Sequence, residues 1–177
     1  MLTGKTGKVS AWTLAILLAC GTGLGFAGDL AGTAWQITGV SKEKVRKVGH
    51  QKDSLTGMTL VFQDGGTCYV HIEEDAADLP CTWEAGRKGR RFTVTLDEEA
   101  AEDLVVSAWD DLVGGSIDDG SIDQNRGRGR VNRKMTRLKL KFVVKATVSG
   151  HDSQGHAMEN QRVKIRVKMK GTPATTF

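Results

Sequence analysis

The sequence lacks the common signatures of catalysis and metal binding. It contains no Gly-x-Ser-x-Gly motif, no dinucleotide-binding fingerprint and no P-loop. Cys68 and Cys81 have no neighbouring His or Cys at zinc-site spacing. The segment DDGSIDQN (118–125) lacks the full EF-hand spacing and the terminal Glu of a calcium loop. Asp110 and Asp111 would point in different directions on a helix. We therefore expect no enzyme activity, no metal site and no cofactor.

Proline is also scarce, with 2 residues against 22 glycines in a chain of 177. Proline-poor, glycine-rich chains with many Val and Thr residues favour β-structure with tight turns. Hydrophobic residues make up 39% of the chain and charged residues 26%, an ordinary globular balance. The length gives room for one domain.

The sequence has one long apolar run, near its start, and no second run follows. It spans 11–27, follows Lys5 and Lys8, and is too short and glycine-rich for a transmembrane helix. We expect 1–27 to be a secretory signal peptide, which leaves 28–177 as a secreted or periplasmic domain. A second interpretation stays open, because LLAC resembles a bacterial lipobox that would make Cys20 a lipidated anchor.

Cys68 and Cys81 are expected to form a disulfide. They are 13 residues apart, and they share strand parity with the expected core residues. In an oxidising compartment, closing such a short loop stabilises a fold by roughly 3 kcal/mol. The alternative is a pair of buried thiols.

Apolar and polar residues alternate with a period of 2 along most of the remaining chain. We count about eight strands, of which KVRKV (44–48) is the weakest. Short connections favour an antiparallel up-and-down meander that can close into a barrel. The predicted fold class is therefore mainly β, with one inserted helix after the sixth strand.

The inserted helix is predicted over 97–113. Asp97 is a suitable N-cap, and Glu98 and Glu99 suit the positive end of the helix dipole. Gly114 provides a stop. The following segment, 115–130, includes RGRGR and is predicted to be a mobile loop.

Three segments carry a family resemblance. LAGTAW (30–35), TLVFQDGGTCYV (59–70) and CTWEAGRKGRRFTVTL (81–96) resemble the opening strand, hairpin and Trp-bearing strand of bacterial lipocalin-like domains. The resemblance implies a barrel whose interior holds a small apolar ligand. The alternative is an interior filled by its own side chains. The residues expected to line the interior are Trp35, Ile37, Leu60, Phe62, Val70, Trp83, Phe92, Val94, Phe142, Val144, Ile165 and Val167.

Charge is distributed unevenly along the chain. Between 64 and 123 there are 16 acids and 4 bases, whereas between 126 and 170 there are 14 bases and 2 acids. In the last two predicted strands, alternation places cations on the outer side. The centre of this face is expected at Lys139, Lys141, Lys164, Arg166 and Lys168.

This basic face has two interpretations. It is either a surface that binds an anionic envelope component, such as lipid headgroups or a polyanion, or a soluble sheet face neutralised by the acidic helix and loop. The outward positions carry no aromatic residue that would stack on a base, which counts against specific nucleic-acid binding.

We expect a monomer. The main functional hypothesis is the binding of a small apolar ligand, and the alternatives are envelope-surface binding and a purely structural envelope domain.

Overall fold

A computed structural model describes residues 30–74, 76–86 and 90–174. The predicted signal peptide and Cys20 lie outside these residues. Among the described residues, no helix is long and apolar enough to cross a membrane.

The described chain is a closed barrel of eight antiparallel strands, which confirms the predicted fold class. Each strand pairs with its neighbour in sequence, and the first strand pairs with the last. A one-turn 3₁₀ helix at Asp64–Gly66 forms the turn between the second and third strands. The strands are β1 (Thr33–Val45), β2 (Gly49–Phe62), β3 (Thr67–Ile72), β4 (Ala77–Ala85), β5 (Arg91–Leu96), β6 (Ile117–Val131), β7 (Leu138–His151) and β8 (Ala157–Pro173).

Two errors in the strand prediction cancel in the count. Residues 44–48 do not form a strand of their own, because β1 ends at Val45 and a turn follows. The predicted mobile loop at 115–130 is wrong, because β6 covers 117–131 and pairs with both β5 and β7. The helix therefore follows the fifth strand and not the sixth.

The helix, α1, spans Glu98–Val113, close to the predicted range. Asp97 caps it by accepting a hydrogen bond from the Glu99 amide at 3.1 Å. Gly114 ends it in the left-handed conformation, at φ 70°. Because α1 leaves the end of β5 and packs against β1, β2, β6, β7 and β8, it lies across one end of the barrel.

The two ends of the interior differ in packing. The end opposite α1, here called the aromatic end, contains Trp35, Phe62, Trp83 and Phe92. Phe62 makes edge-to-face contacts with Trp83 and Phe92, at centroid distances of 5.4 and 5.2 Å. The indole nitrogens donate to Thr33 Oγ1 from Trp35 and to the Gln63 carbonyl from Trp83. This end is therefore filled and its indole groups are hydrogen-bonded.

The predicted disulfide is confirmed. Cys68 and Cys81 are opposite each other on β3 and β4, with Cα atoms 4.8 Å apart. Both cysteines are buried. The bond joins two of the shortest strands and indicates that the domain folds in an oxidising environment.

Candidate functional site

A cavity of about 140 Å³ lies inside the barrel beneath α1. Leu104 reaches it from the helix, and the other lining residues come from seven of the strands. Apolar side chains dominate the wall. The lining residues are Ser41, Glu43, Leu55, Met58, Leu60, Val70, Ile72, Leu79, Val94, Leu96, Leu104, Leu140, Phe142, Ile165, Val167 and Met169.

The cavity divides the residues predicted to line the interior into two groups. Half of them line the cavity, namely Leu60, Val70, Val94, Phe142, Ile165 and Val167. The other half lie in the packed core outside it, namely Trp35, Ile37, Phe62, Trp83, Phe92 and Val144. A ligand in the cavity would therefore contact the first group and not the second.

The prediction missed the polar part of the cavity, which comes from β1. Ser41 and Glu43 have the same odd-numbered parity as Trp35 and Ile37, so they also face inward. Their polar character interrupted the apolar alternation on which the prediction relied. The regular alternation of inward and outward residues along β1 is the signal that identifies Ser41 and Glu43 as inward-facing.

Leu55 was missed for a different reason. On β1 Ile37 and Gly39 are two positions apart, but their partners on β2, Met58 and Leu55, are three positions apart. This bulge contains Gly57, whose φ is 66°. It changes the parity of β2, so that both Met58 and Leu55 face the cavity.

Among the residues that the structure describes, Glu43 is the only charged one that lines the cavity. Its Oε2 atom is buried and has no hydrogen-bond partner, a condition shared among the described residues only by Trp109 Nε1. Gln51 lies directly opposite Glu43 on β2, but its Nε2 donates to Asp53 Oδ1 at 3.3 Å. The carboxylate thus has an unused acceptor in a mostly apolar space.

The surroundings of Glu43 disfavour its ionised form. Burial raises the pKa of the carboxyl, and repulsion from Asp111 of α1 and Asp53 of β2 raises it further. The same acids make the local potential negative. A positive group bound in the cavity would offset both the desolvation of the carboxylate and its repulsion from Asp111 and Asp53.

A second feature lies on the outside of the barrel. The outward Lys and Arg residues of β6, β7, β8 and β1 form a continuous surface that we call the basic wall. The five residues predicted for its centre all belong to it. Its members are Arg126, Arg128, Arg130, Lys139, Lys141, Lys145, Arg162, Lys164, Arg166, Lys168, Lys170, Lys42 and Lys44.

Like charges face each other across this wall. Lys141 is opposite Lys168 on one side and Arg128 on the other. Desolvation, together with the charges of Arg166, Lys145 and Lys44, lowers the pKa of Lys164. Like charges directly opposite in a sheet are destabilising, so this arrangement has an energetic cost.

The acidic helix does not neutralise the basic wall, since α1 lies across the barrel end. Arg126 bonds to Glu84 at 3.4 Å, and this is the one ion pair of a wall residue within the part of the chain that the structure describes. The outward positions of β7 and β8 within 138–147 and 162–171 carry no acid. The wall is thus free to meet an external anion.

Three of the four histidines form separate pairs with acids. His71 Nδ1 lies 2.7 Å from Asp78, His151 Nδ1 lies 2.8 Å from Asp118, and His156 Nδ1 lies 3.1 Å from Asp152. Within 30–74, 76–86 and 90–174, no three His, Cys, Asp or Glu side chains converge as metal ligands would.

Comparisons of the chain with protein-family models, curated proteins and solved structures find no match. The cavity and the basic wall are therefore the two features of the molecule that bear on its function.

Proposed function

We propose that this protein is a small-molecule binding protein of lipocalin-like type that holds a mostly apolar ligand in the cavity beneath α1. The observation that supports this most strongly is the contrast between the two ends of the interior. The aromatic end is filled, whereas about 140 Å³ stays open beneath α1. Eight-stranded barrels either fill with side chains or hold one small ligand, and this interior combines both conditions.

The cavity volume limits the size of the ligand. An engineered apolar cavity of about 150 Å³ binds benzene. We therefore expect a ligand with about one ring, or a short aliphatic chain, and not a long fatty acid or a porphyrin. Ethylbenzene is a suitable neutral probe.

Filling the cavity tests this function. We expect Val167→Phe to weaken ethylbenzene binding at least tenfold in calorimetry, because the added ring occupies the space that the ligand needs. Val48→Phe is the matched control, since Val48 is 42% exposed and does not line the cavity. Equal ethylbenzene affinity in both variants, or no binding by the wild-type protein, would overturn the proposal.

The basic wall supports a second candidate function, the binding of a linear polyanion such as an acidic polysaccharide. The supporting observation is the set of facing cations without neutralising acids on β7 and β8. The wall spans four neighbouring strands of a closed eight-stranded barrel, so it curves around about half of the circumference. A flexible chain can follow this curve, whereas a planar membrane touches only part of it.

Dextran sulfate is the probe for the second function. We expect Lys164→Glu/Arg166→Glu/Lys168→Glu to abolish its binding, and we expect wild-type binding to weaken steeply as salt rises. The control is Arg133→Glu/Lys134→Glu/Arg137→Glu, which changes the net charge equally at the β6–β7 connection outside the wall. If both triple variants lose binding equally, or if only anionic vesicles bind, the polyanion proposal fails.

A further inference from the structure

The chemistry of the cavity specifies more than an apolar ligand. The lining of the cavity is apolar apart from Ser41 and Glu43, which are two residues apart on the inner side of β1. Ligand sites commonly combine apolar walls with a few convergent polar groups that fix the orientation of the ligand. The polar end of this cavity is therefore defined by one strand.

Within the part of the chain that the structure describes, no cation pairs with Glu43. Lys42 and Lys44 flank it in sequence, but both are exposed on the outer side of β1. Glu43 makes no ion pair among the described residues. Asp111 and Asp53, whose repulsion raises the pKa of Glu43, add negative charge.

A carboxylate oxygen without a partner inside a protein is costly, and such groups are normally paired. From the open cavity and the unpartnered Oε2 atom of Glu43, we propose that the ligand is a small amine, whose ammonium group pairs with Glu43 and whose apolar body fills the rest of the cavity. This inference depends on the proposed cavity function.

Two probes of equal heavy-atom count separate the parts of this proposal. Ethylbenzene reports on the apolar cavity, and benzylamine carries an ammonium group on the same framework. We would measure both affinities calorimetrically in the wild-type protein and in Glu43→Gln. We expect the substitution to weaken benzylamine binding about tenfold or more, as for loss of a charged hydrogen bond, and to leave ethylbenzene binding unchanged or stronger.

The matched control is Glu159→Gln, since Glu159 is exposed on β8 and lies outside the cavity. It should change neither affinity. Glu43→Met provides a second removal of the charge, so that poor folding of one variant does not decide the result.

The outcomes distinguish the two levels of the proposal. If neither probe binds the wild-type protein, the cavity function is wrong. If ethylbenzene binds but benzylamine does not, or if removal of the Glu43 charge changes both affinities equally, the cavity function stands and the amine inference is overturned.

Discussion

Glu43 distinguishes the cavity from an ordinary hydrophobic core. A core would place an apolar residue opposite Ile165, as Val45 is placed opposite Val163 on the same two strands. The chain instead holds a carboxylate near Asp53 and Asp111, at a cost in stability. A residue that is unfavourable for folding and faces an open cavity is what we expect at the ligand site proposed above.

The cost of Glu43 gives a prediction for stability against pH. Its pKa is raised in the fold, so the folded chain holds this proton more tightly than the unfolded chain does. Stability therefore falls as pH rises from the ordinary glutamate value of 4.5 through the raised value. Glu43→Gln should remove this loss, so the variant should match the wild type near pH 4 and be more stable than the wild type at pH 7.

Urea unfolding of the apo protein at a series of pH values measures this difference. Glu159→Gln should follow the wild-type curve throughout. A Glu43→Gln variant that is less stable than the wild type at pH 7 would show that the carboxylate stabilises the fold.

At the scale of elements, β6 is the strand that sequence reasoning mistook for a loop. In RGRGR the arginines face outward and the glycines inward, so the period of 2 is present but its inner side lacks apolar side chains. The reason lies on neighbouring strands, because the Phe92 and Phe142 rings occupy the space beside Gly129 and Gly127. Apolar alternation does not identify a strand whose inward residues are glycines that leave room for the rings of neighbouring strands.

Gly129→Ala tests this account of β6. A Cβ at this position would overlap the Phe92 ring in the filled aromatic end. We expect a loss of about 1–3 kcal/mol in the free energy of unfolding, as for other overpacked cores. Thermal or urea unfolding measures it.

Gly49→Ala is the control, because a Cβ there meets no atom within 4 Å. It should leave stability nearly unchanged. If Gly129→Ala were equally neutral, the packing explanation for β6 would be wrong.

By contrast, α1 and the disulfide could be predicted because their signals are local. Asp97 and Gly114 mark the ends of the helix through their own backbone chemistry. Cys68 and Cys81 follow the parity of their strands. The cavity could be predicted only in part, since it depends on a bulge and on which core positions remain unfilled.

At the scale of the whole molecule, the barrel separates two surfaces of opposite character. Its interior beneath α1 is apolar with one acidic side chain, and the basic wall across β6, β7, β8 and β1 is positive. The basic wall was foreseeable for β7 and β8. Its extension onto β6 and β1 follows from barrel closure and from the strand at 117–131.

The repulsion within the wall predicts a stabilising charge reversal. Lys141→Glu would replace two like-charged pairs, with Lys168 and Arg128, by two opposite-charged pairs. We expect a gain of about 1 kcal/mol in urea unfolding at low salt, which shrinks as salt rises. Lys134→Glu, in the β6–β7 connection, should have little effect, and a destabilised Lys141→Glu variant would refute the repulsion argument.

Methyl-resolved NMR with ethylbenzene would show whether the space beneath α1 binds a ligand, as we propose. We expect saturable shifts for methyl groups that line the cavity, such as those of Leu60, Val70 and Leu104. We expect little change for Leu138 and Val163, which are buried outside the cavity. An absence of shifts, or shifts confined to exposed residues such as Val48 and Val106, would contradict it.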